Sequence, residues 1–198
     1  MKRLVGLSLV ALSLLQINAC TNTVKYGNAS RSETIKTEIG TADFQQATQR
    51  MARKMLEFPM VESLSGSKRL TIAIDTLTDQ TGDKLDLEPM RAAIIRQLTE
   101  TGKFKLASDE SVTSTRTKMT PELDYNAVTE VTAQRFAEAT ESDLLLYGTV
   151  ANIIRTKPNS KEVYYRISLN LWDSNTKKLL WKDDHEQLKS QRKAVFGI

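Results

Sequence analysis

Thiol and imidazole groups are almost missing from this chain of 198 residues, which has one cysteine, Cys20, and one histidine, His185. A lone cysteine excludes an intramolecular disulfide, and a lone histidine leaves few metal or nucleophile constellations open. No CxxC, HExxH, GxxxxGK[ST] or GxGxxG string occurs. Charge of one sign is not concentrated either, since no block of five or more Lys or Arg appears and nothing asks for nucleic acid. Long apolar runs are absent with one exception, and that exception stands at the very start.

Lys2 and Arg3 precede Leu4 to Ile17, an uncharged, mostly apolar stretch of about 14 residues, followed by Asn18, Ala19 and Cys20. Such a run is short for a membrane-spanning helix, which needs roughly 20 residues, and fits the core of a signal peptide. A plain secretory signal has no reason to carry the only cysteine of the chain at its border. The stretch resembles a bacterial lipobox, which implies cleavage before Cys20 and a diacylglycerol on that residue. Thr21, where enteric retention signals have aspartate, points to the outer membrane with the folded part facing the periplasm. The expected division is therefore 1–19 signal peptide, 20–42 lipidated tether and 43–198 periplasmic α/β domain. Removing Lys2 and Arg3 with the signal lowers the net charge from +4 to +2. Residues 20–42 are polar and contain no proline, so as flexible chain they span roughly 25 Å on average and about 75 Å when fully stretched. A short strand within Ser32 to Ile39 is the one local element the pattern allows there.

In the remainder, Asp43 opens a helix in which Phe44, Ala47, Met51, Met55 and Phe58 recur at helical spacing until Phe58-Pro59 ends it. Arg69 to Leu77 alternates as a strand, and Thr78 to Lys84 reads as a loop. Asp86 starts a helix that buries Leu87, Met90, Ile94 and Leu98, tolerates Pro89 in its first turn, and stops at Gly102. Lys103 to Ala107 is a short strand, Ser108 to Asp124 mostly loop, and Asn126 to Thr140 a helix burying Val128, Val131 and Phe136. Leu144 to Ile154, apolar on both faces at first, is expected in the centre of a sheet. Val163 to Trp172 alternates cleanly, Asp173 to Thr176 supplies a turn, and Lys177 to Asp183 is the partner strand. The tail from His185 onward is expected to be loosely held. Strands interleaved with helices, closed by a hairpin, predict an α/β fold with a single mixed β-sheet flanked by helices.

Few residues invite a chemical role. Ser65-Gly66-Ser67-Lys68 matches the SxxK string of penicillin-binding enzymes, but their SDN and KTG strings are absent and these residues sit in a polar loop. Asp183-Asp184-His185-Glu186 is better read as a solvated strand end than as a cation site, because consecutive strand residues point apart. Asp75, Asp79 and Asp83 lack the spacing and glycine of a calcium loop and read as turn formers. Trp172 and Trp181 can anchor a partner, with packing against a helix expected for Trp181, which would share a face with Leu179. Tyr164 and Arg166 lie opposite the apolar row of their strand, so either a helix or a partner covers them. No catalytic residue, cofactor, metal or small-molecule substrate is expected.

The stretch LTIAIDTLTDQTGDKLDLEPMRAAIIRQLTETGKFKLAS resembles the core of the LpoB-type lipoproteins, outer-membrane activators of class A penicillin-binding proteins. ESDLLLYGTV and YRISLNLWDSNTKKLLW continue the resemblance, which runs from about Phe44 to Asp183. It implies a domain like the N-terminal domain of TolB, without enzymatic activity. The implied partner is the small regulatory domain between the transglycosylase and transpeptidase of the synthase. Asp79, Thr81, Tyr164, Arg166 and Trp172 are the candidate partner-binding residues, and Cys20 the lipidation site. The tether departs from the long, proline-rich one of better-known members. The alternative is a structural or assembly lipoprotein, akin to those of curli secretion.

Overall fold

A computed structural model describes residues 24–28, 33–34, 41–64, 69–119, 130–157 and 160–192. Its strands are β1 (Val24–Asn28), β2 (Glu33–Thr34), β3 (Thr71–Ile74), β4 (Thr78–Gln80), β5 (Lys105–Leu106), β6 (Leu144–Lys157), β7 (Ser160–Asp173) and β8 (Lys178–Arg192). The helices are α1 (Thr41–Leu56), α2 (Pro59–Leu64), α3 (Glu88–Thr101), α4 (Asp109–Met119) and α5 (Glu130–Ala139). One sheet runs in the order β2-β1-β8-β7-β6-β3-β5, with β4 also paired to β6. β3 is parallel to β5 and β6, whereas β6, β7, β8, β1 and β2 are successively antiparallel. The mixed α/β sheet with a closing hairpin is thus present, and β6 lies inside it as its two-sided apolar start requires.

The two faces carry separate cores. On one, Met51 and Met55 of α1 and Met90, Ile94 and Leu98 of α3 meet Ile72, Leu144, Leu146, Ile167 and Leu169 of the sheet. On the other, Val112 and Met119 of α4 and Phe136 of α5 cover Ala73, Leu145, Tyr147 and Trp172. Each large side chain so buried contributes about 1.5–3 kcal/mol relative to exposure. Gly102 ends α3 in the left-handed conformation, φ +61°, with its N–H donated to Thr99 O, as the sequence anticipates.

Several local expectations are corrected. β3 stops at Ile74 and a second short strand, β4, forms inside the expected loop, because three residues, Asp75 to Leu77, face only two, Tyr147 and Gly148, across the parallel pairing. The extra residue lets the Leu77 side chain settle over Gly148, where a Cβ would stand 2.9 Å from Leu77 Cδ2 and 2.5 Å from Ser168 O. The Ser/Thr-rich segment after Asp109 is a three-turn helix, α4, with Val112, Thr115 and Met119 buried at helical spacing. In α5, Val131 is 68% exposed where burial was expected, and Val128 lies outside the described residues. The tail is not loose as far as Arg192. β8 continues to that residue because β7 pairs with one of its edges and β1 with the other. Part of the expected tether is therefore sheet, with Val24 opposite Gln191 and Asn28 opposite Gln187. Within Ser32 to Ile39, only Glu33 and Thr34 are described, as β2.

Candidate functional site

The hairpin strands hold the surface most available for contact. Residues alternate along β7, so Val163, Tyr165, Ile167, Leu169 and Leu171 face α1 and α3, while Tyr164, Arg166, Ser168, Asn170 and Trp172 face the opposite side. α4 and α5 cover only one half of that second face. Trp172 lies under them, 2% exposed, and its Nε1–H donates to Gln134 Oε1 at 2.9 Å. It is a core residue, and its candidacy as a partner anchor is corrected: a side chain packed against α5 has no surface to offer. Trp181 is buried in the main core, as packing against a helix required, but it does not share a face with Leu179. The pairing passes from Leu171–Trp181 to Trp172–Leu179, skipping Leu180, and this bulge turns Leu179 out to 42% exposure.

Beyond the reach of α4 and α5 the face is open. Arg166 is exposed and forks onto Glu186 of β8, with Nε at 2.9 Å and Nη2 at 2.5 Å from Oε1. Glu186 holds the Arg166 guanidinium above its already high ordinary pKa, through hydrogen bonding first and charge second. Tyr164, half-buried, lies beneath the Arg155 guanidinium at 5.0 Å from the ring centre. Ala151, Ile153, Tyr164, Arg166 and Glu186 line a shallow hollow of about 70 Å³. Ser168 donates to Asp184 at 2.5 Å further along the same face. An aromatic ring, a guanidinium and small polar groups on a rigid sheet are the residue types that anchor protein contacts.

Asp79 and Thr81 belong to a different feature, a folded loop. Asp79 accepts hydrogen bonds from the Thr81 hydroxyl and N–H and from the Leu85 N–H, at 2.6–2.8 Å. Burial pushes the Asp79 carboxyl up, but these bonds outweigh it and hold it below the ordinary carboxylate range. Asp83 completes the loop by accepting from Tyr165 Oη at 3.0 Å and Asn152 Nδ2 at 3.1 Å. The loop is thus fastened to the sheet on the α1 side, and its carboxylates are spent on holding it. The structure does not bring Asp79 and Thr81 onto one face with Tyr164 and Arg166.

Asp75, expected with Asp79 and Asp83 to be a turn former, is corrected: it is a buried partner of a distant arginine. Asp75, 3% exposed, is met by Arg116 of α4 in a two-pronged ion pair, with Arg116 Nε at 2.9 Å. Arg116 also donates to Thr76 O and stacks 5.8 Å over Phe136. Burial pushes the Asp75 carboxyl above its ordinary value, against the pull of Arg116 and the Thr76 N–H. The pair clips the end of β3 to α4. Helical spacing of Val112, Thr115 and Met119 was the available signal for α4, and with it for Arg116.

Asp183 and His185 face α1, whereas Asp184 and Glu186 face the open side, so the acidic run does not converge. Among the described residues no group of three or more His, Cys, Asp or Glu is placed to hold a metal ion. No described helix is long and apolar enough to cross a membrane. Cys20, Ser65 and Lys68 lie outside the described residues.

The architecture defines a small α/β domain with one sheet face covered by α1 and α3 as far as Val163 and one half-open face. The chain belongs to the LpoB family: the model described as peptidoglycan-synthase activator LpoB matches residues 43–187. Among solved structures, the C-terminal domain of LpoB from Salmonella enterica is 17% identical with a TM-score of 0.50, covering 73% of this chain and 97% of that one. The corresponding Escherichia coli domain is 18% identical at the same TM-score and coverage. The NMR structure of E. coli LpoB is 15% identical with a TM-score of 0.50, over 93% of this chain and 89% of that one. At such identities these structures establish the fold. No curated protein sequence matches the chain.

Proposed function

We propose that this chain is an outer-membrane lipoprotein, anchored through Cys20, that binds the regulatory domain of a class A penicillin-binding protein and raises its rate of peptidoglycan synthesis. The observation that carries the reading is the family match over residues 43–187, which takes in β3 to β7, nearly all of the helices and most of β8. Its contact surface is the open half of the sheet, around Tyr164 and Arg166. Activation by a bound domain requires no catalytic group. It requires that the domain bind the active conformation of the synthase more tightly than the resting one, and each tenfold preference is worth about 1.4 kcal/mol. A rigid three-stranded face suits that task, since little ordering entropy is lost on docking.

The test uses the mature chain with Cys20→Ser and the purified class A synthases of the same organism. Stimulated glycan polymerisation or crosslinking is expected, and it should vanish when the regulatory domain of the synthase is deleted. Tyr164→Ala combined with Arg166→Ala should weaken binding at least tenfold while the unfolding transition stays in place. Absence of binding to every class A synthase tested would transfer the assignment to an assembly lipoprotein. Normal stimulation by the double variant would move the contact surface elsewhere on the domain.

A further inference from the structure

The strand register brings the anchor point of the chain and its densest positive charge to one end of the sheet. Past the helices, β6, β7 and β8 continue as a ribbon. Lys157, Ser160 and Arg192 share its outermost rung. Thr156, Lys161 and Gln191 form the next, then Arg155, Glu162 and Ser190, then Ile154, Val163 and Lys189. β1 runs antiparallel beside β8 and adds Val24 opposite Gln191 and Lys25 opposite Ser190. With Tyr26 of β1 and Glu33 of β2 continuing the fourth rung, these rungs carry Arg155, Lys157, Lys161, Lys189, Arg192 and Lys25 against two carboxylates, Glu162 and Glu33. The other end of the same strands is not basic: there Arg166, Lys178 and Lys182 stand among Asp173, Asp183, Asp184 and Glu186.

Val24 is four residues from Cys20. Even fully extended, that length of chain reaches only about 14 Å. A lipid on Cys20 thus holds the basic end of the ribbon within one or two Debye lengths of the bilayer, the range in which surface charges attract. Ile153 and Ile154, 56% and 50% exposed, stand at this end of the ribbon as well. Cations flanking exposed aliphatic residues are the composition of a surface that meets lipid headgroups and the boundary beneath them.

We propose that this ribbon end is a membrane-contact surface that binds anionic phospholipid headgroups in the bilayer holding the anchor. The contact stands the domain on its ribbon, with the Asp173–Lys178 turn directed away from the membrane. The orientation rests on lipidation of Cys20, but the binding does not, and so it is testable on lipid-free protein. In flotation assays, the mature chain with Cys20→Ser should partition onto mixed phosphatidylethanolamine–phosphatidylglycerol vesicles and not onto phosphatidylethanolamine–phosphatidylcholine vesicles. Rising salt should release it. Lys157→Gln with Lys161→Gln should lower the partition about 25-fold, at about fivefold for each cation near an anionic surface. Lys103→Gln with Lys178→Gln, the same charge change at the other end, should leave it within about twofold on that same scale. Equal losses in the two double variants, or no preference for anionic vesicles, would overturn the proposal. Either result would leave synthase stimulation, measured without membranes, untouched.

Discussion

Replacing Arg116 with Met tests whether the clip between β3 and α4 holds the second core together. The substitution keeps most of the side chain's length and apolar stem but removes the charge that faces Asp75. Asp75 is 3% exposed, so water cannot take over the lost interactions. Breaking a buried ion pair from one side costs about 3–5 kcal/mol. Against a total stability of about 5–15 kcal/mol, that is a large fraction. With a urea dependence of about 1–3 kcal/mol per molar, the midpoint should fall by roughly 2 M. The deficit should also depend on pH. Burial already raises the Asp75 carboxyl, and Arg116 is the first of the groups that oppose it. Without Arg116 the folded-state pKa climbs further above the unfolded value, and the native state takes up a proton that the unfolded state releases. The variant therefore regains stability relative to wild type as pH falls from 7 through that raised pKa toward 4, and loses it again as pH rises. The double variant Asp75→Leu with Arg116→Met leaves no buried charge at this contact and should be markedly more stable than Arg116→Met alone. Urea unfolding at pH 7 and pH 5 of the wild type, both single variants and the double variant completes the cycle. A cost below about 1 kcal/mol for Arg116→Met, or strictly additive effects, would refute the reasoning.

Gly148→Ala should destabilise the domain by about 1–3 kcal/mol or more, because its Cβ would meet the Ser168 carbonyl oxygen, which belongs to backbone and cannot swing aside; urea unfolding measures it, and a neutral result would mean that β4 and the Leu77 turn are not seated as described. His185 gives a pH dependence of opposite sign to that of the Arg116 variant. Burial, then Arg50 and Lys54, push its imidazole below the ordinary value of 6.5. The unfolded chain thus takes up a proton first, and stability should fall as pH drops below about 6.5 toward the lowered folded value. His185→Gln should flatten thermal unfolding temperatures across that window, and an unchanged slope would assign the effect to other groups.

Much of the fold was legible because it depends on local periodicity. The alternation from Val163 to Leu171 identified the core-facing row of β7, and the helical spacing of Ala47, Met51 and Met55 identified the buried stripe of α1. Gly102 marked the end of α3 because a left-handed cap favours glycine. The short β4 was not legible. A bulge between Ile74 and Thr78 depends on which residues of β6 lie opposite, and those come some seventy positions later in the chain.

The candidate surface was half legible, and Trp172 shows why. Alternation correctly sets Tyr164, Arg166 and Trp172 on one face of one strand, since the period of a strand is two. Whether that face meets water or a helix is decided by α4 and α5. They cover Trp172 and stop short of Tyr164 and Arg166. In the same way, the residues alone determine an apolar run that ends near Cys20, a polar stretch after it and scattered lysines and arginines. Only the antiparallel pairing of β1 with β8, of β8 with β7 and of β7 with β6 gathers six of those cations beside Val24, four residues after Cys20. Local patterns settle which way a side chain points within its own element, because backbone geometry fixes that. What stands in front of it is fixed by contacts between residues far apart in sequence, and only the tertiary structure decides those.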